Sequence, residues 1–133
     1  MKRIKMPEPI RVQSDNEKEP LEFGLLWFSR HYLNGADQFI KSGGTGIRSS
    51  VRIEDAIMAA VESKAPHVDL YDEDFDVIAA LVESPGPLGY PSLFVNKETG
   101  EPVPLPPRAL APFVNAFASA TDAPAEDQKE AAE

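Results

Sequence analysis

Proline and glycine set the limits on what this chain can become. Asn34-Gly35, Gly43-Gly44, Pro66 and Pro85-Gly86-Pro87 each close a stretch that would otherwise run on as a helix. Glycine and asparagine accept the left-handed backbone that ends a helix, and proline pushes the residue before it out of the helical region. The helices between these stops must be short. The expected fold class is therefore mainly α (α+β), with four or five short helices and one or two small β-hairpins.

Between the stops, apolar spacing assigns the elements. Helical patterning predicts a helix from Leu21 to Leu33, a short helical turn from Ala36 to Lys41, and a longer helix capped by Thr45 or Ser49 that ends by Lys64. In that longer helix Ile47, Val51, Ile57 and Val61 are read as the recurring apolar positions. His67 to Tyr71 alternates as a short strand does. Asp72 then caps a helix from Glu73 to Glu83, whose stripe is Phe75, Ile78, Ala79 and Val82 and whose first turn is acidic, as the helix dipole favours. Leu93 to Asn96 and Glu101 to Leu105 flank Lys97-Glu98-Thr99-Gly100 and read as a hairpin. A last helix runs from about Pro107 to Ala120 with Leu110, Phe113, Val114 and Phe117 inward, and Pro112 is expected in its first turn or at the start of its regular part.

The ends read differently. Residues 1–20 form an N-terminal arm or a small hairpin of Lys2 to Met6 against Pro9 to Gln13, with Ser14 to Pro20 as a polar linker. Residues 21–120 make a single helical domain, a size at which roughly two-thirds of the unfolded surface can be buried. Residues 121–133 are alanine, acids, glutamine and proline, with nothing large to bury, and read as a disordered acidic tail.

Composition removes several functional classes. There is no cysteine, which excludes disulfides, thiolate metal sites and cysteine nucleophiles. A net charge of −9 repels phosphate, so neither nucleic acid nor an anionic membrane surface is an expected partner. The basic start, Lys2, Arg3 and Lys5, is not followed by the apolar stretch of a secretory signal, and apolar runs such as Leu25-Leu26-Trp27-Phe28 are far too short to span a bilayer. The expected location is cytoplasmic, the host cytoplasm if the chain is phage-encoded.

No motif supplies chemistry. The acids Asp69, Asp72, Glu73, Asp74 and Asp76 lack the glycine and glutamate that an EF-hand loop needs in register, and read as a solvated helix start. Ser42-Gly43-Gly44-Thr45-Gly46 opens a helix but lacks the lysine of a P-loop, and reads as an inter-helix connection. His31 and His67 have no metal-ligand spacing, and neither they nor Ser49 and Ser50 sit in a hydrolase motif. The chain is expected to be no enzyme and to need no cofactor or metal.

The most informative segment is Phe23 to Tyr32. At about 100° per residue, Leu21, Leu25, Leu26, Phe28, Tyr32 and Leu33 gather on one face, while Phe23, Trp27 and His31 follow one another at i, i+4, i+8 on the other side. A helix apolar on two faces is either wholly buried or has a partner on the second. Phe23, Trp27 and His31 are thus the candidate partner-binding residues, with Trp27 either core or interface.

Three pieces of the chain carry a resemblance. Arg48-Ser49-Ser50-Val51-Arg52-Ile53-Glu54-Asp55-Ala56 is one. Asp72-Glu73-Asp74-Phe75, leading to Leu81-Val82-Glu83-Ser84-Pro85 with Gly89-Tyr90-Pro91, is the second, and Ala111-Pro112-Phe113-Val114-Asn115-Ala116-Phe117 is the third. Together they resemble small accessory proteins of tailed bacteriophages, the tail-assembly-chaperone-like proteins. The resemblance implies a non-enzymatic role in virion assembly, binding a longer phage structural protein, with self-association open, and it transfers no site residue. The alternative reading, from the charge, is an acidic inhibitor of a host protein acting by nucleic-acid charge mimicry.

Overall fold

The structure, a computed structural model, describes residues 1–12 and 21–123. Strands β1 (Lys2–Lys5), β2 (Ile10–Val12) and β3 (Leu21–Phe23) precede helices α1 (Leu25–Leu33), α2 (Asp37–Ile40) and α3 (Gly43–Glu62). Strand β4 (His67–Leu70) leads into α4 (Asp72–Glu83) and a 3-10 turn at Gly86–Leu88. The hairpin strands β5 (Phe94–Val95) and β6 (Pro102–Val103), helix α5 (Pro107–Ala118) and strand β7 (Thr121–Asp122) complete the order. The fold is α+β and mainly helical, with five α-helices among the described residues beside small antiparallel strand pairs, in agreement with the sequence.

The first strand is the middle of the main sheet. β1 lies between β4 and β7, antiparallel to both. Ile4 stands opposite Val68 and both are buried, while on the other face Arg3 grips Asp69 through Nε at 2.9 Å and Nη2 at 3.1 Å. The expected hairpin of β1 against residues 9–13 does not form. Pro7 and Pro9 have no N–H to donate to a ladder, so the chain leaves β1 there, and β2 pairs with β3 instead.

The far boundary moves too. Thr121 and Asp122, expected in the tail, pair with β1, and the buried Ala123 donates its N–H to the Met1 carbonyl at 2.8 Å. Composition alone marks this segment as tail; its order comes from a strand at the opposite end of the sequence. Residues 124–133 of the expected tail and the expected linker at 14–20 lie outside the described residues.

Helix α1 is the hub of the core. Leu25, Phe28, Tyr32 and Leu33 recur at i, i+3, i+7, i+8 and are all buried. They pack with Ile53 and Ile57 of α3, Ile78 and Val82 of α4, and Phe113 and Phe117 of α5 in one cluster. Phe28 stacks on Phe113 with ring centroids 4.9 Å apart and planes 12° from parallel. The helix begins later than Leu21, because Leu21 to Phe23 satisfy their main chain against β2 and Gly24 holds extended backbone at the cap.

Three expectations inside the helices need correction. In α3 the buried positions are Gly46, Ser49, Ile53, Ile57 and Ala60, while Ile47, Val51 and Val61 are about half exposed. Neither Thr45 nor Ser49 caps that helix, since it starts at Gly43 and Ser49 faces inward. In α5 Pro112 lies past the first turn, exposed, and leaves the Arg108 carbonyl without its usual helical donor.

Candidate functional site

An apolar groove of about 670 Å³ opens beside the start of α1. Its floor is the start of α1, with Leu25, Leu26 and Trp27. Phe23 of β3 and Pro9 line it, as do Ala60 and Val61 at the end of α3, Ala65 just beyond that helix, and Met6 and Pro7. The volume is that of a site for a drug-sized ligand or a few side chains of a partner. Val61 is 45 % exposed here, a β-branched residue left open in the last turn of α3.

Two of the three candidate partner-binding residues meet in this groove. Phe23 and Trp27 are half-buried and stand edge to face, centroids 5.7 Å apart. Behind the groove Trp27 packs edge-on against Phe113 at 6.0 Å, so the indole joins core to surface. His31 is elsewhere. Its Nε2 lies 2.9 Å from the Gly89 carbonyl and 3.2 Å from that of Leu88, a position from which Nε2–H donates and ties α1 to the 3-10 turn. Helical spacing groups His31 with Trp27 but does not show that a loop covers the last turn. Sequence reading also leaves out Met6, Val61 and Lys64, which reach the groove from separate segments and carry no local signal for it.

The rim is charged. Arg30, Lys64 and Glu22 line it. Glu22 accepts from Arg11 Nε at 3.1 Å, directly across the β2–β3 pair, and Arg30 stands 3.5 Å from Glu54. Lys64 makes no ion pair among the described residues. Its backbone is unusual: φ is 56°, the one left-handed residue other than glycine in the described chain. The cause is the close of α3. Lys64 N–H donates to the Val61 carbonyl at 3.1 Å and Ala65 N–H to that of Ala60 at 2.8 Å, the paired bonds that end a helix through a left-handed residue, normally glycine. Pro66 follows and prevents the helix from continuing.

The other features singled out in the sequence are structural. Asp74, 2 % exposed, accepts from Ser49 Oγ at 2.6 Å and from Arg52 through Nε at 2.9 Å and Nη2 at 2.8 Å. Burial by itself would raise the Asp74 carboxyl. The hydrogen bonds from Arg52 and Ser49 and the Arg52 charge together outweigh it and hold the group below the usual carboxylate range. Two more acids of the cluster are paired, Asp69 with Arg3 and Asp72 with the Met1 amino group at 3.2 Å. Among the described residues no group of three possible ligands is placed to hold a metal ion. Ser50 donates to the Leu33 carbonyl, so neither Ser49 nor Ser50 hydrogen-bonds a histidine. At the glycine-rich start of α3, a side chain on Gly46 would press within 2.7 Å of the Gln38 carbonyl; the residue lets α2 and α3 approach. No helix among the described residues is long and apolar enough to cross a membrane.

No protein family, characterised protein or solved structure matches this chain.

Proposed function

We propose that the protein is a non-enzymatic binding or assembly protein that receives a segment of another protein in the groove floored by Leu26 and Trp27. The observation that carries this reading is the open apolar lining, with an aromatic pair at its centre, in a chain where His31, Ser49, Ser50 and Asp74 are engaged in structural bonds. Clusters of this kind, an aromatic anchor in a partly desolvated hollow, supply most of the energy of many protein interfaces. The resemblance of residues 45–120 to tail-assembly accessory proteins supports a phage origin, a longer phage structural protein as the partner, and work in the host cytoplasm. Charge mimicry gains less support, because Asp69, Asp72, Asp74 and Asp122 each pair with a cation of the same chain rather than presenting a free acidic stripe.

The test is co-expression with the products of neighbouring genes followed by pull-down, in the native chain and in Val61→Glu. Val61 is open to solvent, so the charge enters the groove without entering the core. A complex that forms with the native chain and is lost in the variant is expected. Absence of any complex, or a complex indifferent to Val61→Glu, would remove the groove from consideration.

A further inference from the structure

We infer that the groove reads a carboxylate as well as apolar surface: its occupant is an apolar segment of a partner protein that carries an acidic residue, met by Lys64. This rests on the reading of the groove as a protein-binding site and names what distinguishes the right partner. Two independent observations lead to it. The first is charge. The groove is lined by two cations and one acid; the acid, Glu22, is answered by Arg11 and Arg30 by Glu54, which leaves Lys64 as the lining charge with no ion pair among the described residues. In a chain of net charge −9 this rim is a local exception. The remaining negative charge is largely screened beyond about 8–10 Å at physiological salt, so the contact is decided by the rim and not by the total.

The second is the backbone under Lys64. Its left-handed conformation closes α3, a position that glycine occupies without strain and lysine does not. A side chain held there at a conformational cost points to something the side chain does. The fold gains nothing visible from it, since Lys64 has no ion pair among the described residues and is exposed. What it does have is a place on the wall of the groove beside Val61 and Ala65.

Two other occupants fit less well. The chain's own residues 124–133 are acidic, but they contain no side chain larger than glutamine, lysine or glutamate and nothing apolar beyond alanine and proline, so they cannot fill a hollow lined by Phe23, Leu26 and Trp27. A second copy meeting groove to groove would offer Lys64 only a Glu22 that Arg11 already holds.

The experiment is selection of a displayed library of random peptides on the full chain, and in parallel on Lys64→Glu and Val61→Glu. Peptides sharing a large apolar residue and an Asp or Glu are expected on the native chain, with the acidic preference reversed to Lys or Arg on Lys64→Glu. A synthetic copy of the most enriched peptide is then titrated, read by emission of Trp27, the single tryptophan. Lys64→Gly should melt at a higher temperature, because the strain is relieved, and yet bind about two- to five-fold more weakly, as loss of one partly exposed ion pair implies. A merely structural lysine would not separate stability from binding in this way. Peptides that need Val61 but show no acidic bias would overturn this inference and leave the groove reading standing. Peptides indifferent to Val61→Glu would overturn both. Tighter peptide binding after deletion of residues 124–133 would identify the tail as the occupant, and dimers in sedimentation that Val61→Glu dissolves would identify a second copy; either overturns it.

Discussion

The Ser49 hydroxyl donates to Asp74 at 2.6 Å, and through this contact and the two Arg52 bonds α3 is pinned to α4. Serine in a helix interior and aspartate on the buried side of another would each be unfavourable alone. Together with Arg52 they satisfy one another, and the Arg52 side chain, 43 % exposed, brings the positive charge in from the surface.

Because the folded carboxyl of Asp74 sits below its ordinary value, its contribution to stability is present above about pH 4 and is lost as pH falls through the folded value. Removing Arg52 lifts that value, so Arg52→Ala should unfold at higher pH on acid titration. Ser49→Ala removes one hydrogen bond to a buried charge and should cost about 1.5–3 kcal/mol at neutral pH, measured by urea unfolding. An acid midpoint in Arg52→Ala equal to the native one would show that Asp74 is not held by this pair.

Tyr32 gives the opposite case. Its hydroxyl is buried and has no hydrogen-bond partner among the described residues. Burial, with Tyr90 nearby adding to it, pushes the hydroxyl well above the usual tyrosine range. A raised value means the stability held by the neutral form is intact below about pH 10 and declines as pH rises beyond it. Tyr32→Phe keeps the ring, which lies 5.5 Å from Phe28, and removes the orphan group. The variant should equal the native chain at pH 7 or exceed it by about 1–2 kcal/mol, with a flatter alkaline limb. A loss of stability at pH 7 would mean the hydroxyl has a partner.

Much of this architecture is legible in the sequence where the signal is local. The acidic first turn of α4 and the stripe Ile78 and Val82, the stop at Asn34-Gly35, and the hairpin around Lys97 to Gly100 are all written within a few residues of where they act. What is not legible is pairing across distance. β7 is held by β1 from the other end of the chain, and β3 is a strand only because β2 is beside it. α3 carries two candidate stripes, and the true inner one includes Gly46 and Ser49, which look polar until α2 and Asp74 are brought against them. The groove is half legible for the same reason: Phe23 and Trp27 lie on one segment, but Met6 comes to it from the N-terminus and Val61 and Lys64 from the end of α3.

The glycines at the start of α3 give a pair of predictions of opposite sign. A Cβ on Gly44 would meet the Arg48 guanidinium at 3.0 Å, the movable end of a long side chain, whereas one on Gly46 would meet the Gln38 carbonyl at 2.7 Å and the Phe39 carbonyl at 3.1 Å. Gly44→Ala should therefore stabilise by about 0.5–1 kcal/mol through backbone entropy. Gly46→Ala should destabilise by about 1–3 kcal/mol, since backbone must shift. Thermal melts of the two variants check this, and the same sign in both would contradict the close approach of α2 to α3.

The order of β7 predicts where the chain can be shortened. Ending it after Ala120 removes both β7 pairs with β1, the buried Ala123 and the bond from Lys2 Nζ to Asp122 at 2.7 Å. Ending it after Ala123 keeps all of them. The shorter chain should melt at a lower temperature than the longer one. Equal melting temperatures would mean that β7 adds nothing to the sheet.

Trp27 stands between the two roles a sequence could offer it. A tryptophan wholly inside a core costs about 3–5 kcal/mol when cut to alanine, and one on a free surface costs almost nothing. Here the ring is half-buried: one side packs on Phe113 at 6.0 Å, and Phe23 meets it edge-on at 5.7 Å across the groove. Trp27→Ala should therefore lose roughly 2–3 kcal/mol, about half to two-thirds of the core value, and still fold, because a typical domain holds about 5–15 kcal/mol in reserve. Trp27→Phe should recover most of the stability, since a smaller ring still covers Phe113, but should bind a groove partner more weakly. Circular dichroism during urea unfolding is the suitable probe, as the substitution removes the only tryptophan. A loss below about 1 kcal/mol would detach Trp27 from Phe113, and a loss near 5 kcal/mol would place it wholly inside; either result would contradict an indole shared between core and groove.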